Sequence, residues 1–392
     1  MKINRAMAWL AMAVLAGALL SACGGTNNPV STINSTNYSF SSAAPKFAIV
    51  GNDDCFPKVN VFSVDAATGA LTELPIPKSP FPVNVECPRV WVHPNGKWVY
   101  ITDYNSPLVE AYSIDNSGNL TQLSLVANTG FADHLAFSGD GKYLFTADYD
   151  AFISAFKIDS NTGALTNVGS VSVAAAGNPV VPFLSTITTA GNYLYAGTYA
   201  LAFWEPYLFG FTVNASGNPV SISGSPWVTP GVWAGSITAD WNGSFLYAGT
   251  VNVGSGNIQE IFGYKINSNG SLTALTGPSV VGGSLNDFIQ MVFEPRNKFL
   301  YIADDNAGAV WAYSFDSTTG ALTKITGSPF TAGTSPRTLA VDPSAKFLYL
   351  ANYGSGDISG YTINQNTGVP TPMSSTFTPS GISKPYTIAF TH

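Results

Sequence analysis

Lys346-Phe347-Leu348-Tyr349 is the clearest copy of a short segment that recurs along the chain about every fifty residues. In most copies an aromatic residue, an aliphatic residue and a second aromatic residue follow a residue that is often lysine. The other copies are Lys46-Phe47-Ala48-Ile49, Lys97-Trp98-Val99-Tyr100, Lys142-Tyr143-Leu144-Phe145, Asn192-Tyr193-Leu194-Tyr195, Ser244-Phe245-Leu246-Tyr247 and Lys298-Phe299-Leu300-Tyr301. This period predicts that one structural unit is repeated seven times.

The residues around each copy are also repeated. A short strand and a tight turn precede the copy, as in residues 339–345, and a hairpin follows it, as in residues 313–322. The hairpin turn starts with Asp or Asn and contains a glycine, a combination that favours short antiparallel connections. Each unit therefore predicts four antiparallel strands, named a to d, with the repeated segment in strand b.

Seven units of four strands predict an all-β fold, a seven-bladed β-propeller whose blades surround a central channel. The first unit starts at strand b, near Lys46, and the chain finishes with a strand a, residues 385–390, that has no blade of its own. We expect this last strand to complete blade 1 and remove the open sheet edges. Residues 46–392 are therefore predicted to form one propeller.

The composition argues against two classes of protein. Only 10% of the 392 residues are charged and 16 are Lys or Arg, which is too few for a protein that faces nucleic-acid phosphates. The hydrophobic fraction of 45% is too high for a disordered chain. We therefore expect a folded protein with no nucleic-acid partner.

The amino terminus is typical of an exported protein. Lys2 and Arg5 precede an apolar stretch, residues 6–20, that is short for a membrane span and predicts a signal peptide. Leu20-Ser21-Ala22-Cys23-Gly24 then resembles the lipobox of bacterial lipoproteins. The resemblance implies that residues 1–22 are removed, that Cys23 carries lipid, and that the protein is sorted to the outer membrane of the cell envelope. The alternative is an ordinary signal peptide with an incidental cysteine.

The segment that follows, up to residue 45, is rich in Ser, Thr and Asn and predicts a flexible tether. With the lipidated Cys23 it makes up residues 23–45, so that contact with the membrane is expected through the lipid anchor only. We expect a monomer, because nothing in the sequence points to oligomerisation.

Two further cysteines lie in loops at one face of the predicted propeller. The loops between strands b and c and between strands d and a share this face, called the top face below. Cys55 falls in the first kind of loop in blade 1 and Cys87 in the second kind as the chain leaves blade 1. An oxidising compartment makes a Cys55–Cys87 disulfide the expected state, with two free thiols as the alternative. A metal site is less well supported, because two thiolates do not complete a tetrahedral shell.

The predicted strands a share a polar column. Their third positions are Arg89, His134, Thr186, Ser236, Gln290, Thr338 and Thr387, and the position after each of these is apolar. This alternation predicts seven polar side chains around the channel near its top mouth. One interpretation is a binding site, and the other is that these side chains only solvate a wet channel.

Several side chains near this mouth suggest chemistry. We nominate His134 or Asp148 as a general base and Arg89 as the group that stabilises an oxyanion or holds a carboxylate. Asp103 is a further catalytic candidate, and Arg337, Gln290, Tyr104 and Tyr149 are candidates for ligand binding. Strands b carry Asp or Asn where they end, at Asp53, Asp103, Asp148, Asp304 and Asn352. The alternative is that these acids bind loop amides and the neighbouring tyrosines pack between blades.

Residues 336–343, running into residues 346–352, resemble the repeat of the seven-bladed lactonase family, which includes bacterial 6-phosphogluconolactonase-type proteins and YVTN-repeat propellers. The resemblance extends over residues 46–392. It implies a lactonase with His, Arg and Glu residues near one channel mouth, onto which Pro88-Arg89 and Asp133-His134 are carried over. The family's Pro-His is Asp133-His134 here, and its Asn-Glu at the end of a strand b has no match.

Two functions follow. The first is an exported lactonase-like hydrolase that acts on a sugar lactone or related ester, without cofactor or metal. An exported protein is separated from cytoplasmic sugar phosphates, so 6-phosphogluconolactone itself is not the expected substrate. The second is a non-catalytic surface propeller that binds a protein or a glycan, for which a large exposed aromatic patch would be the sign.

Overall fold

The structure is a computed structural model that describes residues 44–173, 183–199, 206–231, 234–252, 258–276, 280–284 and 290–392. The predicted signal peptide, Cys23 and nearly all of the predicted tether lie outside these residues. The described chain forms seven antiparallel sheets and contains no helix, which confirms the predicted all-β, seven-bladed propeller. Accordingly, none of the described residues forms a helix with the length and apolar character that a membrane crossing requires.

The strands follow the order a, b, c, d in each blade. Blade 1 contains β1 (Phe47–Asn52), β2 (Lys58–Val64), β3 (Leu71–Glu73), β4 (Phe81–Pro82) and the last strand of the chain, β32 (Pro385–Phe390). Blade 2 contains β5 (Pro88–Val92), β6 (Trp98–Asp103), β7 (Leu108–Ile114) and β8 (Leu120–Ala127). Blade 3 contains β9 (Ala132–Phe137), β10 (Tyr143–Asp148), β11 (Phe152–Ile158) and β12 (Leu165–Ser172). Blade 4 contains β13 (Phe183–Ala190), β14 (Tyr193–Tyr199), β15 (Tyr207–Val213), β16 (Pro219–Ser221) and β17 (Trp227–Val228).

The remaining three blades have the same plan. Blade 5 contains β18 (Ser236–Ala239), β19 (Phe245–Asn252), β20 (Ile258–Ile266), β21 (Leu272–Ala274) and β22 (Val280–Ser284). Blade 6 contains β23 (Met291–Phe293), β24 (Phe299–Asp304), β25 (Ala309–Phe315), β26 (Leu322–Lys324) and β27 (Phe330–Thr331). Blade 7 contains β28 (Pro336–Val341), β29 (Phe347–Asn352), β30 (Asp357–Ile363) and β31 (Pro370–Pro372).

The ring is closed as the sequence predicts. Strand β32 pairs with β1, with Ala48 opposite Phe390 and Val50 opposite Ile388, so the last strand supplies the missing strand a of blade 1. The backbone N–H of Lys46 also donates to the carbonyl of Thr391 over 2.9 Å. Both ends of the propeller are therefore held in one sheet, in which β32 covers the channel-side edge of β1.

The outer strand of four blades is divided into two short pieces, a feature that the repeat did not predict. In blades 1, 4 and 6 the division coincides with a Ser-Pro turn whose serine hydroxyl accepts an N–H from strand c. Ser328 Oγ, for example, accepts the N–H of Ala312 over 2.9 Å. The hydroxyl thus replaces the ladder hydrogen bond that the turn interrupts.

Neighbouring blades are packed together by the aromatic residues of strand b. In five blades the second aromatic residue is a buried tyrosine whose hydroxyl donates to a glycine carbonyl in the c–d hairpin of the next blade. The pairs are Tyr100 with Gly163, Tyr195 with Gly270, Tyr247 with Gly320, Tyr301 with Gly368 and Tyr349 with Gly69. Gly69 has a φ of +74°, and a Cβ there would lie 2.5 Å from the ring of Phe347. The hairpin glycine therefore serves both the turn and the close approach of the blades.

The two loop cysteines form a disulfide, as expected, with Cα atoms 4.0 Å apart. Cys55 lies two residues after Asp53, and Cys87 lies two residues before Arg89. The bond therefore joins the two top-face segments that carry Asp53 and Arg89.

Candidate functional site

The polar column of the strands a lies at one level of the channel. Arg89 pairs with Thr102, His134 with Ala147, and Thr338 with Ala351, which are equivalent positions of strand b. A pocket at the top mouth is lined by five members of this column and by side chains next to it. The lining residues are Trp91, Asp133, His134, Tyr149, Ser185, Gly235, Ser236, Gln290, Arg337, Thr338, Tyr386 and Thr387.

β-Bulges bring additional residues to the pocket. In blades 1, 3, 4 and 7 the register of strand a shifts by one residue just before the polar column. The residues left unpaired are Tyr386, Asp133, Ser185 and Arg337, and all four line the pocket. A bulge leaves one residue outside the ladder and turns its side chain to a new direction, and bulges are common beside functional sites. In blade 2 the pairing is regular and no residue is turned in this way.

Arg89 is not among the residues that line the pocket, although it belongs to the polar column. Its side chain is 3% exposed and makes ion pairs of 2.6 Å with Asp53 and with Asp133. A third guanidinium nitrogen donates to the backbone carbonyl of Asn52 over 3.1 Å. The guanidinium carbon lies 3.6 Å from the ring centroid of Tyr386 and 4.9 Å from that of Tyr104. Arg89 is therefore fixed between blades 1, 2 and 3.

The opposite charges of Arg89 and Asp133 stabilise each other's ionised form. Burial alone would lower the pKa of Arg89, but the charge of Asp133 and the neighbouring Tyr386 and Asp53 raise it. Burial alone would raise the pKa of Asp133, but the charge of Arg89 lowers it. The two groups therefore remain charged as a buried pair.

His134 faces the pocket with a quarter of its side chain exposed. Its Nδ1 atom is buried without a hydrogen-bond partner and lies 3.8 Å from Asp133 Oδ2. Burial lowers the pKa of His134, and the charge of Asp133 opposes this effect only in part. The imidazole is therefore neutral at neutral pH, which is the form that accepts a proton.

Arg337 reaches the pocket from blade 7. Its side chain is 20% exposed, and one guanidinium nitrogen lies 3.4 Å from Asp305 Oδ2. The guanidinium carbon lies 5.1 Å from the ring centroid of Tyr353. Arg337 therefore places a positive charge at the mouth of the channel, in the lining of the pocket.

The structure places Asp148 and Asp103 away from the pocket. Asp148 is buried in blade 3, where it accepts hydrogen bonds of 2.8 Å from Asn128 and Ser154, and burial raises its pKa to about 6. Asp103 accepts the N–H groups of Glu86 and Asn105 in the top loops. Strand b is the second strand from the channel, so the acids at its end reach loop amides rather than the channel. This agrees with the alternative interpretation of those acids.

In blade 1 the sequence prediction placed the residue that ends strand b one position too late. Asn52 ends strand β1 and occupies the position equivalent to Asp103, whereas Asp53 follows the strand and binds Arg89. An ungapped alignment of Lys46 with Lys97 already gives Asn52 as the equivalent of Asp103, so the signal for the correct residue was present in the sequence.

Three of the four predicted ligand-binding residues line the pocket, and the fourth lies outside it. Tyr149, Gln290 and Arg337 line the pocket. Tyr104 instead lies beside Arg89, with its hydroxyl 3.7 Å from Cys55 Sγ. Tyr149 directs its hydroxyl to Asp133 Oδ2 over 3.5 Å, and the amide oxygen of Gln290 accepts the N–H of Leu339 over 2.6 Å.

Sequence analysis missed Trp91, Ser185 and Tyr386 as lining residues. Ser185 and Tyr386 directly precede the polar column, as Asp133 and Arg337 do, and a polar residue at this position is the signal that was available. Trp91 lies two residues beyond the column, on the same face of strand a. In the described part of the chain, no group of three or more His, Cys, Asp or Glu side chains is arranged to hold a metal ion.

Comparisons with known proteins agree with this architecture. The model of the family described as "Lactonase, 7-bladed beta-propeller" matches residues 99–206 and 232–385. The periplasmic gluconolactonase of Pseudomonas aeruginosa superposes with a TM-score of 0.72 at 18% identity, covering 88% of this chain and 99% of that protein. A candidate 6-phosphogluconolactonase from Bacteroides fragilis gives a TM-score of 0.70 at 21% identity, covering 90% and 99%. At these identities the two structures show a shared fold. No curated protein sequence matches the chain.

Proposed function

Because this chain belongs to the seven-bladed β-propeller lactonase family, we propose that it hydrolyses a sugar lactone or a related ester in the pocket at the top mouth of its channel. The observation that carries the proposal is that a neutral imidazole and a guanidinium, those of His134 and Arg337, line the same pocket. Gluconolactonase activity is named for the superposed Pseudomonas protein, which supports a lactone as the substrate class.

The proposed reaction uses His134 as a general base. The imidazole accepts a proton from water while the water oxygen bonds to the lactone carbonyl carbon. The negative charge that develops on the carbonyl oxygen is stabilised by Arg337. The ring carbon–oxygen bond then breaks, and the leaving oxygen takes the proton back from His134. The product is the open-chain hydroxy acid.

Arg89 and Asp133 have supporting roles in this proposal. Arg89 holds the carboxylate of Asp133 in place, and that carboxylate lies 3.8 Å from the imidazole that becomes positively charged. A fixed negative charge at this distance stabilises the imidazolium that forms when water is deprotonated. This replaces the direct role that the sequence suggested for Arg89.

The test is hydrolysis of D-glucono-1,5-lactone and a panel of other sugar lactones by the purified protein, followed as acid release at constant pH. We expect turnover above the spontaneous rate on at least one lactone. The absence of turnover on the whole panel would contradict the proposal and favour a non-catalytic binding propeller. The large apolar residues that are exposed in the described chain are spread over blades 1, 2, 4 and 5, and none of them lines the pocket.

We also propose that the protein is an exported lipoprotein of the cell envelope. The support is the lipobox-like sequence around Cys23 and the periplasmic location named for the Pseudomonas protein. Metabolic labelling with a palmitate analogue should mark the wild-type protein and leave Cys23→Ala unlabelled. Membrane fractionation of the labelled protein distinguishes the outer from the inner membrane.

A further inference from the structure

One side chain beneath the polar column has no counterpart in the other blades. Two residues beyond the column, each strand a directs a second side chain toward the channel. These residues are Trp91, Ala136, Thr188, Thr238, Val292, Ala340 and Ala389. Of these seven, Trp91 alone is aromatic, and it alone lines the pocket. The other blades occupy this level with small or medium side chains, so the fold does not require an indole here.

Trp91 is partly exposed and lies next to His134. The centroids of the two rings are 5.8 Å apart, with their planes inclined by 54°. The indole edge packs against the apolar cluster between blades 2 and 3, while part of the side chain remains open to the pocket. An aromatic surface is thus presented one level below the proposed base.

The indole N–H of Trp91 is a buried donor without a hydrogen-bond partner. A buried tryptophan N–H usually has an acceptor, and leaving it unpaired costs free energy. The nitrogen itself has almost no exposed surface, so the contact that Trp91 offers to the pocket is made by the rest of its side chain. The site therefore combines the aromatic side chain of Trp91 and, above it, the hydroxyl and amide side chains of Ser236, Thr338 and Gln290.

We propose that Trp91 is the stacking platform of the pocket and that the ligand is a cyclic sugar or sugar lactone. A sugar ring has a face of C–H groups and an edge of hydroxyls. Laying the C–H face on the indole removes apolar surface from water, and the hydroxyl edge meets the polar column. This inference rests on the proposed function for the lactone, but it also predicts binding of sugars that are not hydrolysed.

The test uses methyl β-D-glucopyranoside, which has no lactone bond to cleave. Saturation-transfer NMR on the purified protein should give signals that are strongest for the ring protons on one face of the sugar. Trp91→Ala should weaken binding by about tenfold, because the apolar platform is lost, whereas Trp91→Phe should retain most of it. The control is Trp241→Ala, because Trp241 is 47% exposed in the a–b turn of blade 5 and does not line the pocket.

The outcomes separate this inference from the proposed function. Sugar binding that depends on Trp91, without hydrolysis of any lactone, would support the platform and contradict the hydrolase. Hydrolysis that is unchanged in Trp91→Ala would support the hydrolase and overturn the platform. Failure of the wild-type protein to bind the glucoside, or equal binding by Trp91→Ala, would also overturn it. Circular dichroism and the thermal midpoint of each variant show whether the propeller remains folded.

Discussion

Two arginines lie at the top mouth of the channel, and they differ in what surrounds them. Arg89 occupies a regular position of strand a in blade 2 and is enclosed by Asp53 and Asp133 at 2.6 Å. Arg337 is the unpaired residue of a bulge in blade 7 and lines the pocket, with Asp305 at 3.4 Å. The comparison shows that a shift of one residue in strand register decides whether an arginine joins blades or lines the pocket.

The largest effect is expected for Arg89→Ala. Removing the guanidinium leaves two carboxylates without their cation, one of them nearly buried, so the free energy of unfolding should fall by about 3 kcal/mol. Chemical denaturation measures this change. Arg89→Lys should recover only part of it, because lysine offers neither the planar fork nor the stacking between two tyrosines. If Arg89→Ala keeps wild-type stability and loses only turnover, Arg89 is catalytic and the comparison fails.

The disulfide and Arg89 should contribute to stability as a coupled pair. Cys55 and Cys87 are 32 residues apart in sequence, and replacing both by serine removes the cross-link between them. The free energy of unfolding should then fall by about 2–4 kcal/mol. The loss should be smaller in the Arg89→Ala background, because the bond holds the loops that carry the partners of Arg89. A double-mutant cycle measures this coupling. Equal losses in the two backgrounds would show that the bond and the arginine act independently.

Arg337→Ala should affect turnover more than stability, whereas Arg89→Ala should mainly affect stability. The free energy of unfolding should fall by less than in Arg89→Ala, because one carboxylate at 3.4 Å loses its cation instead of two at 2.6 Å. Turnover of the lactone should fall by about a hundredfold, because the oxyanion loses its cation. The matched control is Arg296→Ala, whose arginine is 30% exposed and binds Glu294 in the a–b turn of blade 6. Equal loss of turnover in both variants would show that Arg337 has no special role.

The smallest effect is expected at the acid end of the profile of turnover against pH. Because burial lowers the pKa of His134, the base is unprotonated at neutral pH, and turnover should fall only at a pH below the range in which an exposed histidine titrates. Arg337→Ala should lower the plateau of the profile and leave this acid limb in place. If the wild-type protein shows no acid limb, or if the acid limb persists in His134→Gln, then His134 is not the base.

The repeated strand b segment was sufficient to predict the propeller, its seven blades and the closing strand, because aromatic periodicity reports directly on how blades pack. The level of the polar column and the disulfide were also predicted from topology. The partners of Arg89 were not, since Asp133 lies 44 residues away in sequence and the ion pair depends on how three blades meet. The bulges were missed because their signal, two consecutive polar residues that interrupt the alternation as in Asp133-His134 and Arg337-Thr338, was not used.

The point at which the chain enters the propeller has a further consequence. Strand β1 is a strand b, so it starts at the face opposite the pocket, where Lys46 lies beside the end of the chain at Thr391. Whatever precedes Lys46 is therefore attached at the bottom of the ring. A lipid on Cys23 would therefore tether the ring from the face opposite the pocket, so that the point of attachment and the mouth of the channel lie on different faces.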